Sequence, residues 1–350
     1  MAIVNRSRGF TLLELVIVVM VIGIVSIILA PVYSSLLTSE RSAYLEKNRL
    51  DNMLVGAGLM TYAANSTQYG RLPAPYTGGG YTDTIYNAGD SSAPGIALSQ
   101  ALTQTDVNPI EIDDDGTAAQ NVRVYQLVSN LSQSVPLYFQ SGPIATVNFD
   151  FGAIYMTTCP KSSTSTCNPR SATGVPGASP ALTAANYTTW APTDPDGPAY
   201  FVSSLPIQKQ MLATTVQRLD KIRDALLGYF RAQQMTAAAG DTTNWYPNDS
   251  GTSADGTKAG ATSGSNQNCH DGWYSLSAYP LILGAVGLSS TEFGNTAWGG
   301  SIEYCRDYDP NNSKTADAAP QFAAIRINAT VSNGAAPDSA IDGNNIVLTF

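Results

Sequence analysis

From Phe10 to Ala30 the chain runs 21 residues with Glu14 as its only formal charge. As a helix such a run is about 30 Å long, the thickness of a hydrocarbon core. An ionised carboxylate among leucines and valines costs on the order of 3 kcal/mol to insert, so it either has a task or snorkels to the interface. Just before the run stands the Gly9–Phe10 bond, preceded by a short basic leader with Arg6 and Arg8. Cutting that bond would remove the leader, keep the apolar segment and place a new α-amino group four residues before Glu14. When such helices bundle, Glu14 of one copy could pair with the terminal ammonium of a neighbour. That pairing would offset the desolvation and select one axial stagger.

Two simpler readings compete. A secretory signal peptide needs an apolar core of roughly 7–15 residues and a small-residue cleavage site. Here the core is longer, and a cut after Ala30 would fall before Pro31. A plain signal anchor explains the length and the Arg6/Arg8 flank by the positive-inside rule, but gives Glu14 no role.

The stretch Gly9-Phe10-Thr11-Leu12-Leu13-Glu14 resembles the cleavage and methylation motif of type IV prepilins and type II secretion pseudoprepilins. The resemblance covers about the first 55 residues. It implies that an inner-membrane prepilin peptidase cuts after Gly9, that Phe10 becomes N-methylated and that Glu14 guides assembly. It also implies that Pro31 marks a place where the buried helix can loosen inside a fibre. The expected partners are the peptidase, other pilin subunits in a helical filament, the inner membrane before assembly and, for an adhesin, a surface receptor. The expected location is a single-pass inner-membrane protein with its head in the periplasm, then an extracellular pilus or a periplasmic pseudopilus.

The remaining chemistry is sparse. There is no P-loop, no Gly-x-Ser-x-Gly elbow and no histidine pair, and a triad would have to use the single histidine, His270. The expectation is therefore that the chain is not an enzyme and needs no cofactor, calcium being the one candidate. Asp307, Asp309 and Asn311 offer alternating oxygen ligands, and some pseudopilins resemble this in having a calcium loop near the C-terminus. The glycine and terminal glutamate of an EF-hand are absent, and Asp/Asn clusters also make ordinary turns. Four cysteines in an exported chain favour disulfides. A Cys159–Cys167 bridge with a Cys269–Cys305 bridge is the preferred pairing among the three connectivities that four cysteines allow. A zinc site at Cys269-His270 has no Cys-x-x-Cys spacing behind it. The net charge of −9 argues against a general nucleic-acid surface.

These residues need a long helix to carry them. Leu36, Leu37, Tyr44, Leu45, Leu50, Met53, Leu54, Ala57 and Met60 recur at helical spacing, so the helix should continue past Pro31, bending there, and end near Tyr62–Asn65. The stretch from Gly70 to Pro206 reads as loop-rich, punctuated by pairs such as Pro94-Gly95. Its strand candidates are Asn121–Val128 and Ala145–Phe151, with Gly152–Thr157 extending or pairing with the latter. Ser162–Pro198 reads as a long loop. A second amphipathic helix spans Leu205 to Ala238, Leu276–Leu288 holds a short helix, Trp298–Cys305 reads as turn then strand, and Gln321–Val331 and Asn345–Phe350 read as strands.

The order of features also repeats. Leu50-Asp51, Tyr62 and then Leu72-Pro73 are echoed by Leu219-Asp220, Tyr229 and then Tyr246-Pro247, with registers that differ by two residues. The expected class is α+β: a long N-terminal transmembrane and stalk helix packed on an antiparallel sheet in a pilin-like roll, followed, if the repeat is real, by a second helix-plus-sheet head. The units are a leader at 1–9, the helix at 10–62, a first head at 63–204 and a second at 205–350. The expected function is a structural subunit, minor or tip-located, of a type IV pilus or related filament. The alternatives are a type II secretion pseudopilin and a pilus-mounted adhesin.

Overall fold

The computed structural model describes residues 12–75, 91–107, 121–138, 141–160, 180–192, 198–249, 268–311, 319–339 and 342–350. The side chains of 12–15, 22–24, 26–30, 32, 121–122, 141, 157–160 and 342 lie outside that description. Helix α1 runs from Leu12 to Ala64 and continues through Pro31. Its second half is amphipathic. Asn48, Asn52, Val55, Leu59, Tyr62 and Ala63 face inward, while Leu50, Met53 and Leu54 stay exposed. The helix leaves through a left-handed turn at Tyr69 (φ 50°) and Gly70 (φ 74°), and the Gly70 N–H donates to the Ala63 carbonyl at 3.1 Å.

The inward face of α1 packs on a three-stranded antiparallel sheet, β1 (Asn121–Tyr138), β2 (Ser141–Pro160) and β3 (Tyr200–Ser203), in that order. Val55, Leu59 and Tyr62 meet Tyr125, Ile154 and Val202 there. A second helix, α2 (Ala93–Gln104), adds Leu98 and Leu102 to the same core. Burying each of these aliphatic side chains contributes about 1.5–3 kcal/mol. The two helices approach closely because Gly58 has no side chain: a Cβ there would sit 2.7 Å from Leu102 Cδ2.

Helix α2 lies where the sequence reads as loop. Pro94-Gly95, read as a breaker, occupies its first turn, where proline's missing N–H is harmless, and the Ser92 hydroxyl accepts from the Gly95 N–H at 3.2 Å. Of Ser162–Pro198, the described part at 180–192 is packed. Leu182 and Trp190 are buried against Val124, Ala153 and Tyr155 on the other face of the sheet.

Helix α3 (Leu205–Thr236) turns Leu212, Leu219, Ile222 and Leu226 onto a second antiparallel sheet. Its strands are β4 (Tyr274–Ser275), β5 (Glu303–Cys305), β6 (Ala324–Asn328) and β7 (Asn345–Thr349), in chain order. This core also takes Leu137, Ala145 and Val147 from the far end of the β1–β2 hairpin. The hairpin therefore serves both cores, and the Thr146 N–H donates to the Ala329 carbonyl at 2.8 Å to tie the sheets together. Its strands of 18 and 20 residues are longer than the sequence pattern suggests. A bulge between Val128 and Leu131, with Asn130 at φ 61°, interrupts the alternation that Leu131, Val135 and Leu137 then resume.

The two helix-plus-sheet units share a detailed geometry. In the first, the fully buried Tyr125 pairs across the strands with Ile154, which pairs with Tyr200, and its hydroxyl donates to the Pro73 carbonyl at 3.1 Å. In the second, the fully buried Tyr304 pairs with Ile325, which pairs with Leu348, and its hydroxyl donates to the Pro247 carbonyl at 3.0 Å. Each tyrosine thus reaches from a strand to the proline segment that follows the unit's helix. Burial pushes both phenols well above the usual tyrosine range. The second unit is further fixed by the Cys269–Cys305 disulfide (Cα–Cα 6.1 Å) and by the buried Arg326–Glu303 pair (2.7 Å) beneath Trp273, whose ring centroid lies 4.3 Å from the guanidinium carbon.

Candidate functional site at the N-terminal helix

Any task of Glu14 depends on how α1 is mounted on the rest of the chain. The mount centres on Asp150, a buried residue of β2. Its carboxylate accepts the Arg71 Nη1–H at 3.0 Å, the Leu72 N–H at 3.0 Å and the Asn130 N–H at 3.1 Å. Its backbone N–H donates to the Ser204 hydroxyl at 2.9 Å, and its carbonyl accepts the Ser204 N–H at 2.9 Å. One residue thereby joins the exit of α1, the bulge of β1 and the start of α3. Gln208, fully buried in the first turns of α3, adds a second tie. Its amide donates to the carbonyls of Tyr69 and Gly70 at 3.0 and 2.9 Å and accepts the Trp298 indole N–H at 2.7 Å. On the helix itself, Asp51 faces the buried Arg123 of β1 at 3.5 Å.

The exposed surface of α1 has a different character. Val16 to Val21 and Val25 are exposed all round its first turns, and Tyr33, Leu36, Leu37, Tyr44, Leu50, Met53 and Leu54 are exposed farther along, interspersed with exposed Ser34, Thr38, Glu40, Lys47 and Arg49. Contiguous apolar surface like that of 16–21 marks contact with a protein or a membrane. The outward side of α3 is polar by contrast, presenting Lys209, Gln210, Gln217, Lys221, Asp224 and Arg231. Among the described residues no helix is long and apolar enough to cross a membrane. Phe10, Thr11 and many side chains of the run to Ala30 lie outside those residues.

Gly9 and Phe10 lie outside the described residues. Glu14 is placed by its backbone in the first turn of α1, and Pro31 is exposed within the helix. Cys269 and Cys305 are bonded to each other, whereas Cys167 and the side chain of Cys159 fall outside the description. Asp307 is fully buried, and its carbonyl accepts the His270 N–H at 3.0 Å. Asp309 turns one oxygen back to the Asn311 N–H at 3.0 Å, an Asx turn, and the other lies 4.0 Å from His270 Nε2. Among the described residues no group of three or more His, Cys, Asp or Glu side chains is arranged to hold a metal ion.

Residues 4–30 match the family model described as the prokaryotic N-terminal methylation motif. The chain carries the prepilin-type signature. The match contains the Gly9–Phe10 bond and Glu14, and it ends one residue before Pro31. Comparison with curated proteins and with solved structures gives no match. The prepilin-type motif implies cleavage by a prepilin peptidase and assembly with other subunits of pilin or pseudopilin type. Asp150 and Gln208, which hold the prepilin-type helix to its head, have no signal in the sequence. Each is an ordinary polar residue in a strand or helix, and its partners lie 20 to 139 positions away.

Proposed function

We propose that the chain is a structural subunit of a type IV pilus or related filament, assembled through α1 after cleavage at Gly9–Phe10 and N-methylation of Phe10. Before assembly it sits as a single-pass inner-membrane protein with its head in the periplasm. The observation that carries the reading is the methylation motif at residues 4–30, set at the start of a 53-residue helix that exposes Val16 to Val21 and Val25. Apolar helix surface of this kind is what neighbouring helices in a fibre would cover, and Glu14 would set their stagger by pairing with a neighbour's terminal ammonium.

The same proposal includes two heads in series, 63–204 and 205–350, derived from one ancestral helix-plus-sheet unit. The matched Tyr125–Pro73 and Tyr304–Pro247 contacts support it. Because the outward side of α3 is polar, the second head adds bulk without adding an apolar lateral packing face. That favours a minor or tip-located subunit over the main repeating one. A type II secretion pseudopilin shares the motif and the helix.

The test is intact mass and N-terminal sequencing of the membrane-extracted protein, with and without the host's prepilin peptidase. A chain starting at methylated Phe10 only when the peptidase is present is the expected result. A chain that starts at Met1 in both strains would refute the reading. Export of a secreted enzyme in a deletion strain then separates the two machines: its loss means a pseudopilin, its persistence a pilus.

A further inference from the structure

At the seam between the two halves three tight turns converge on a cleft of about 450 Å³, lined by Gln68, Tyr69, Arg71, Trp298, Asn333 and their neighbours. The first turn is the exit of α1, where Tyr69 holds φ 50°, a conformation that aromatic residues seldom adopt. The residue stays 45% exposed, and its ring passes over Gly299, where a Cβ would lie 3.6 Å from the phenol oxygen. The second turn is 298–300, with Gly299 at φ 81°. The third is 332–334, with Gly334 at φ 64°, packed so tightly that a Cβ there would meet the Trp298 carbonyl at 2.6 Å.

The walls are fixed from behind. Gln208 holds Tyr69, Gly70 and Trp298 together, and Asn148 donates its N–H to the Ser332 hydroxyl at 2.6 Å. The Arg71 guanidinium is anchored at one nitrogen by Asp150 at 3.0 Å. Among the described residues, the Tyr69 hydroxyl, Arg71 Nε and Nη2 and the Asn333 amide nitrogen make no hydrogen bond. The lining thus offers an exposed aromatic face, planar donors in fixed positions and no carboxylate. Its one charge is already paired.

We propose that this cleft binds one or two rings of a neutral saccharide. The C–H face of a sugar stacks on an aromatic ring, and its adjacent hydroxyls match planar fork donors such as a guanidinium and a primary amide. An ion would gain little from an arginine that Asp150 already neutralises, and a purely apolar ligand would strand the free donors. The volume lies within the usual range for small-molecule sites. Because the first turn comes from one half and the other two from the other half, the cleft exists only where both halves dock. Sugar binding does not depend on leader cleavage, so it stands or falls apart from the filament reading.

The experiment is saturation-transfer NMR on the full chain in a zwitterionic detergent without a sugar headgroup. The probes are the methyl β-glycosides of glucose, galactose and N-acetylglucosamine, and a β-1,4-linked tetramer of N-acetylglucosamine. Expected is transfer to at least one probe that is kept in Tyr69→Phe and weakened at least about tenfold in both Tyr69→Asn and Asn333→Ala. Asparagine tolerates the left-handed backbone, so Tyr69→Asn removes the ring without straining the turn. Retained melting of each variant confirms its fold. Binding of single-ring glycosides marks recognition of glycan ends, and binding of the tetramer alone marks recognition inside a polymer. No transfer to any probe, or transfer that survives both Tyr69→Asn and Asn333→Ala, would overturn the proposal.

Discussion

Replacing Asp150 tests how the head holds its helix. Asp150→Ala removes three acceptor contacts at once, and they are not equal. The Leu72 N–H is buried and would be stranded, at about 1–3 kcal/mol. Asn130 lies at an exposed bulge, so water can replace the lost acceptor at little cost. Arg71 keeps 30% of its side chain exposed, so its loss of a partner falls well short of the 3–5 kcal/mol of a fully buried broken pair, at about 1 kcal/mol. The total is about 2–4 kcal/mol. Asp150→Asn leaves one oxygen for the Leu72 N–H but turns an amide nitrogen toward Arg71 and Asn130, giving up those two more exposed contacts at about 1 kcal/mol. At roughly 2–4 °C per kcal/mol for a chain of this order of size, Asp150→Ala should lower the melting midpoint by about 5–10 °C and Asp150→Asn by less than half as much. Thermal circular dichroism of the full chain in detergent measures both. Equal midpoints for the two variants would refute the assignment of the Leu72 contact as the dominant one, and no change in either would refute the hub itself.

The Cys269–Cys305 bridge closes a 36-residue separation, for which chain-entropy reasoning gives about 4 kcal/mol; the double serine variant should melt earlier by an amount comparable to Asp150→Ala or larger, and equal melting with or without reductant would count against it. Alkaline pH should unfold the chain through its tyrosines. Burial, with the Asp220 hydrogen bond second, raises Tyr138 to about 12, and burial raises Tyr246 and Tyr274 to about 12. The protonated form is thus favoured by the fold, and the stability it adds is complete below pH 10 and lost as pH rises toward 12. Tyrosinate absorbance and the loss of circular dichroism should rise together in that window, and smooth titration near pH 10 with the fold intact would contradict the burial. Gly58→Val should push α2 off α1 and expose the 93–104 backbone to hydrogen exchange, since its Cβ would sit 2.7 Å from Leu102 Cδ2. Unchanged protection there would show that Leu102 can yield.

The prepilin-type opening was legible because its signal is local: a glycine, a phenylalanine and one carboxylate at fixed spacing in an apolar run. The long helices were legible too, as the α3 stripe of Leu212, Leu219, Ile222 and Leu226 recurs at helical spacing. Helix α2 was hidden by Pro94-Gly95, which punctuates a loop in one context and opens a helix in another. The far half of β1 was hidden because Gln133 and Pro136 dilute its alternation, and the strand becomes recognisable only once β2 is beside it. The sequence offered similar residues in a similar order as the only hint of a repeat. The matching hydroxyl bonds from Tyr125 and Tyr304 to Pro73 and Pro247 join segments far apart in the chain, so no single segment displays them. Asp150 and the cleft at Tyr69 were illegible because their partners come from distant segments.

The β1–β2 hairpin, shared by both cores, has a mechanical consequence. In the filament proposed above, traction would pull on this chain at its N-terminal helix and at its distal half. Hydrogen bonds of an antiparallel ladder lie across the strands, so a pull along the hairpin is borne by many of them in shear at once, whereas a peeling load would break them singly. The two halves are joined by more than the peptide link between Ser203 and Leu205. Tension entering at one end is spread through strands of 18 and 20 residues before it reaches the other. The arrangement suits a chain loaded between its helix and its distal half.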